Sequence, residues 1–229
     1  MTPIQLFQLP PALASTVLNF LQHPSREADP DRLTASLPAA WAPPLSPAAE
    51  QALSQEWQLD AERDLPLLDL RQPLHRLALL PRALLGQLAR QLGLLDQGRR
   101  LRRVILRSER EALAGQVGRG EWAWLLEPQR PVAAQALAEP AWPELAAWLD
   151  TLGWALLTQA AASLPGGLAQ RLTLKLRPVT LNPAPLDTEQ ALHRVLDHYP
   201  RCVAELAPDW EAGWNACLPD HDTARSVLP

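Results

Sequence analysis

The amino-acid sequence predicts a mainly α protein: one irregular multi-helix domain with proline-punctuated helices and at most one short β element. Three observations carry that expectation. Leu occurs 47 times in 229 residues, and Leu and Arg favour helix while the β-favouring Val, Ile, Tyr and Phe are scarce. Proline occurs 24 times, about twice its usual share of roughly 5%. Apolar residues recur at three- and four-residue intervals in most segments.

The elements follow in order. Pro10-Pro11 starts a helix over 11–22, with Leu13, Val17, Phe20 and Leu21 at helical spacing. The segment 23–45 is rich in Pro, Ala and Ser and reads as a loop with one helical turn near Leu33. Ser46 followed by Pro47 is an N-cap with proline at the first helical position, for a helix running to Trp57. Residues 58–73, with Pro66 and Pro73, read as an extended connection. From Pro81, Leu84, Leu85, Leu88, Leu92 and Leu95 form one stripe, with Gly93 and Gly98 at its end.

A second element carries Leu101, Val104 and Ile105. Ser108 with Glu111 reads as a capping box opening a helix that ends near Gly118 or Gly120. Trp122 to Leu126 is a short apolar helix before Pro128. Trp142-Pro143 opens a helix with Leu145, Trp148, Leu149, Leu152 and Leu156 on one face, ended by Pro165-Gly166-Gly167. Residues 172–176 alternate strictly and read as a strand with 66–70 as its nearest candidate partner, or otherwise as an edge or part of a helical turn. Asp187 caps a last helix bearing Leu192, Val195, Leu196 and Tyr199. The expected division is a helical body over 1–206, with 23–45 as its Pro-rich loop, and an irregular C-terminal tail over 207–229.

Composition narrows function. A net charge of −4 excludes a globally basic nucleic-acid or membrane coat. Two cysteines, Cys202 and Cys217, cannot build a disulfide scaffold, which points to a reducing compartment. Met1 to Leu9 has no basic residue ahead of its apolar ones, so no secretory signal is expected. The uncharged run 151–170 is too polar for a membrane span.

Catalytic signatures are missing. There is no Walker-type phosphate loop and no G-x-S-x-G elbow. Gly115, Gly118 and Gly120 read better as a helix end than as a dinucleotide fingerprint. His198 and Cys202 with Cys217 and His221 offer four zinc-capable ligands. However, Pro200 would break a helix between the first pair, and two buried thiols with two surface histidines is the plainer reading. His193, Asp197 and His198 could supply a base and its carboxylate, or be an ordinary exposed set. No enzymatic activity, cofactor or metal is expected.

Two features suggest partner contacts. Arg99, Arg100, Arg102, Arg103, Arg107 and Arg110 place six guanidinium groups in twelve residues. They read as a docking face for an acidic protein partner, as a solvated face balanced by Glu109 and Glu111, or as a nucleic-acid contact. Trp210 and Trp214 read either as partner anchors or as pins holding the tail to the body.

Four blocks in fixed order carry a family resemblance: Leu92-Gly93-Leu94-Leu95, Arg102-Arg103-Val104-Ile105-Leu106, Trp148-Leu149, and Arg171-Leu172-Thr173-Leu174-Lys175-Leu176. Across roughly 70–180 the chain resembles the SctK family (YscK/PscK type), the adaptors of the type III secretion injectisome. The resemblance implies a non-enzymatic cytoplasmic protein at the inner-membrane face, in the sorting platform below the basal body. It would link the forkhead-associated-like cytoplasmic domain of the ring protein SctD to the pod protein SctQ, and through SctQ to the stator SctL and the ATPase SctN. It implies no nucleic-acid partner and no membrane insertion. The family carries no catalytic residues to transfer, and only Arg102-Arg103 of the arginine cluster fall in a matching block. A type III secretion chaperone is the nearest alternative.

Overall fold

The computed structural model describes residues 9–37, 45–61, 69–70, 72–138, 142–180 and 187–217. Among them eleven α-helices and two 3-10 turns account for all regular structure, and there is no strand. The helices are α1 (Pro11–Gln22), α2 (Pro30–Ser36), α3 (Pro47–Ala61), α4 (Pro73–Leu79), α5 (Arg82–Arg102), α6 (Arg107–Val117), α7 (Arg119–Leu126), α8 (Leu145–Ala161), α9 (Gly166–Lys175), α10 (Thr188–Leu206) and α11 (Pro208–Cys217). A mainly α architecture is therefore what the molecule has.

The prolines punctuate by opening helices. Pro11, Pro30, Pro47, Pro73 and Pro208 are first helical residues, and Pro81 and Pro165 stand immediately before one. At the first turn a missing N–H costs nothing, and the fixed φ suits the helix. Polar caps complete other starts. Asp29 accepts from Asp31 N at 3.0 Å, Ser46 from Ala49 N at 3.2 Å, and Asp187 from Gln190 N at 2.8 Å.

α5, α8 and α10 pack on one another at the centre. The α5–α8 crossing is made by backbones. A Cβ built on Gly93 would lie 2.1 Å from Leu149 O, and one on Gly153 would lie 1.7 Å from Ala89 O. Each glycine thus admits the main chain of the other helix. The principal core joins Leu85, Leu88 and Leu92 of α5, Leu152 and Leu156 of α8, and Val195, Tyr199 and Val203 of α10, with side chains of α1, α4, α9 and α11. A second cluster joins Leu94 and Leu101 to Leu113, Val117, Trp122, Leu125, Leu145 and Leu149, and holds α6 and α7 against the far half of α5.

Several expectations change. Residues 172–176 are not a strand: they close α9. Leu168, Leu172 and Leu176 are all buried at i, i+4 and i+8, so a helical face overrides the short alternation. Gly93 and Gly98 lie inside α5, which runs through both to Arg102. Pro165 caps α9 at its start. Pro200 stands on the exposed side of α10, and the helix continues past it to Leu206 because Tyr199, Cys202 and Val203 stay in the core. The segment 23–45 contains the 3-10 turn Pro24–Glu27 and all of α2, while 38–44 lies outside the described residues. Of the connection expected over 58–73, residues 58–61 belong to α3 and 62–68 lie outside the described residues. Of the tail expected to be irregular, 208–217 is α11, and 218–229 lies outside the described residues.

Candidate docking surface

The arginine cluster falls on the corner where α5 turns into α6, and the corner divides it. α5 closes with Arg103 N donating to Arg100 O at 3.1 Å and Val104 N to Leu101 O at 3.3 Å. Arg102 points inward. Its Nη2 donates to the carbonyls of Leu125, Glu127 and Arg130 at 2.6, 2.9 and 3.0 Å, and its Nε to Leu125 O at 2.9 Å. Those carbonyls lie at the end of α7 and in the turn beyond it, where no helical N–H reaches them. Arg99 Nη1 donates to Ala134 O at 2.7 Å on the same irregular segment. Arg102 and Arg99 therefore tie the corner to the body. Arg100 is half-buried.

The outward set is Arg103, Arg107 and Arg110, all exposed. Arg107 Nε meets Glu111 Oε1 at 2.9 Å, one helical turn on. Between Arg103 and Arg107 the chain leaves the helix and presents two aliphatic side chains: Ile105 is 88% exposed and Leu106 is 60% exposed. Sequence reasoning missed both, because Leu101, Val104 and Ile105 have helical spacing. Only Leu101 and Val104 reach the second cluster; the helix has ended before Ile105. The signal was a three-residue apolar run closed by arginines on each side, too short for a core face. The capping box is not used either. α6 begins at Arg107 with Leu106 as its N-cap and no side-chain cap, so Ser108 sits too far along to serve. α6 ends where expected, at Gly118, whose φ of +108° only glycine adopts readily.

The body behind the corner is fixed by charged groups. Arg130 donates to Glu127 at 2.6 Å, to both oxygens of Glu205 at 2.9 Å and to Trp124 O at 2.8 Å, and its guanidinium stacks 3.8 Å over the Trp124 ring. Trp124 Nε1 also donates to Glu205 at 2.8 Å. Partial burial alone would raise the Glu205 pKa, but the hydrogen bonds and charge of Arg130 and the Trp124 bond hold it below the usual range. The buried Asp96 takes Leu137 N at 3.2 Å and Arg194 at 3.1 Å; burial raises its pKa in spite of the arginine.

The expectation of partner anchors at Trp210 and Trp214 gives way to that of internal pins. Trp210 is 9% exposed and Trp214 0%, their rings meet edge-on at 5.5 Å, and both belong to the principal core. α11 packs on α10 and lies beside Leu13 of α1, and neither of its rings is left outside.

The remaining candidates stay apart. His193, Asp197 and His198 line one side of a groove of about 650 Å³, facing the segment 131–137. His193 and Asp197 are exposed, while His198 is buried, and its pKa is lowered by burial and then by Arg194. The lining holds no Ser, Thr or Cys. The Cys202 thiol is sealed in the core, its pKa pushed up to about 12 by burial. His221 lies outside the described residues, as does the side chain of Cys217. Among the described residues no three His, Cys, Asp or Glu side chains gather to hold a metal ion, and no helix is long and apolar enough to cross a membrane.

Compared with protein-family models, curated proteins and solved structures, the chain matches none.

Proposed function

We propose that this protein is a non-enzymatic adaptor of the SctK type, joining the cytoplasmic domain of the ring protein SctD to the pod protein SctQ in the injectisome sorting platform. The reading rests on the sequence resemblance, and one structural observation supports it. The block Arg102-Arg103-Val104-Ile105-Leu106 lies at the α5–α6 corner, where Arg102 locks the turn while Arg103, Ile105 and Leu106 face outward. A contact surface on a braced corner suits a protein that works by presenting fixed faces to two partners. Repetition of the adaptor around a ring would multiply modest contacts by avidity. The cytoplasmic location at the inner-membrane face belongs to the same proposal.

The test is affinity capture from the native host with the tagged chain as bait and mass spectrometry as readout. Recovery of the ring and pod proteins together is the expected result, and Arg103→Glu with Arg107→Glu should remove one of them. Recovery of an exported substrate in their place would make the protein a secretion chaperone; nucleic acid in their place would sink both readings.

A further inference from the structure

We infer that Ile105 and Leu106 are the anchor of the docking contact, and that the surface they enter is an apolar hollow rimmed by carboxylates on a protein partner. The inference rests on the adaptor reading and adds to it the chemistry of the contact.

The first argument is local. Leu106 is the N-cap of α6, a position that favours Ser, Thr, Asp or Asn, because their side chains accept an N–H left over in the first turn. Leu cannot do this. The sequence is one substitution from a better helix start: Glu109 stands three residues on, so a Ser at 106 would complete a capping box. The chain instead keeps a Leu that neither caps the helix nor enters the core. A local rule broken without any gain inside the fold points to a use outside it.

The second argument is the shape and charge of the tip. Two bulky aliphatic side chains stand outward on a turn whose base is tied to the body by Arg102. Arg103 and Arg107 flank them in the chain, and Arg110 follows within the first turn of α6, all three exposed. From 99 to 111 the chain carries six Arg against two Glu, a local excess of four positive charges on a protein whose net charge is −4. A projecting apolar pair with a basic surround complements a concave apolar pocket with an acidic rim, the arrangement of a buried anchor within a polar ring. An anionic bilayer fits less well. The tip bears no aromatic side chain, Glu109 and Glu111 stand beside it, and the rest of the molecule is acidic.

The experiment uses the full chain against two probes, the purified pod protein and the purified cytoplasmic domain of the ring protein of the same host. Binding is measured by calorimetry for the wild type, Ile105→Ser, Leu106→Ser and Arg103→Glu, and each chain is melted alone. The expected result is that both serine variants bind one probe about tenfold or more weakly, while Leu106→Ser melts about 2–4 °C higher because its helix is now capped. A more stable chain that binds less well cannot be explained by damage to the fold. Arg103→Glu should weaken the same complex and flatten its salt dependence. Full binding by both serine variants would overturn the inference and leave the adaptor reading standing. Failure of the wild type to bind either probe would overturn both. Wild-type binding to phosphatidylserine vesicles, or self-association, that the serine variants lose while holding both protein probes would assign the tip elsewhere and overturn the inference.

Discussion

Lys175 is the chain's single lysine, and it is buried at the end of α9. Its Nζ donates to Ala78 O at 3.1 Å and lies 3.9 Å from Glu27. Beside it, Arg171 donates to the carbonyls of Phe20 and Leu21 at the end of α1. Burial lowers the lysine pKa from 10.5 to about 8, against a smaller raising effect of Glu27. Between those two values the unfolded chain binds the extra proton, so the lysine's contribution to stability rises with pH across that window. Below about pH 8 the whole cost is present, about 3 kcal/mol by linkage. Lys175→Met removes the charge but leaves Ala78 O without its donor, which costs about 1 kcal/mol or more. The variant is expected to be about 1–2 kcal/mol more stable at pH 7. The variant's advantage should also shrink from pH 8 to 10, as the folded wild type sheds the lysine proton, while the buried Cys202 thiol, held up to about 12, lowers the stability of both chains alike above pH 9. Denaturant titrations at pH 7, 8, 9 and 10 check both.

At the scale of the element, the α5–α8 crossing and α6 behave oppositely toward the same substitution. Gly153→Ala places a methyl group where Ala89 O stands, and neither atom belongs to a side chain that can swing away. The helices must separate, opening the core on both sides. We expect a loss of more than about 3 kcal/mol, in the range of severe core disruptions, or a chain that does not fold. In α6, Gly115 has nothing within 4 Å of its added Cβ. There Ala only restricts the unfolded chain and favours helix, so Gly115→Ala should stabilise by about 0.5–1 kcal/mol. Thermal melts of the two variants beside the wild type give the comparison. If Gly153→Ala melts with the wild type, the crossing is not made as described.

For the molecule as a whole, α11 decides whether the chain end is an appendage or part of the body. Trp214 is fully buried in the principal core, so Trp214→Ala should cost about 3–5 kcal/mol. The unfolding of wild-type and variant should each remain one transition, with far-ultraviolet dichroism and tryptophan fluorescence coincident. Separate transitions would mark the end of the chain as an independent unit.

Most of the helices and their starts were legible, because proline and polar caps act locally: Pro11, Ser46-Pro47, Asp187 and the Leu84-to-Leu95 stripe each announce themselves. Two of the failures come from distance along the chain. Gly93 looks like a stop until Leu149 lies against it, and Trp210 and Trp214 look available until they join the core of the earlier helices. The alternation 172–176 fails locally, because Leu168, four residues before Leu172, belongs to the same buried face. At the candidate surface the arginines were visible as a cluster, but their division into inward and outward groups depends on carbonyls at 125–134. The exposure of Ile105 and Leu106 depends on where α5 stops, which the apolar spacing of Leu101, Val104 and Ile105 conceals.

The crossing of α5 and α8 has one more consequence. Where backbones meet directly there are no rotamers to rearrange, so the joint cannot yield by small steps. From Gly93 at that joint α5 runs without a break to Arg102 at the corner, about 14 Å at 1.5 Å per residue. A push delivered at Ile105 and Leu106 would therefore be carried along one continuous helix to a joint that cannot give by changing rotamers. In the proposed adaptor role, such a part would hold two partners at a constant spacing.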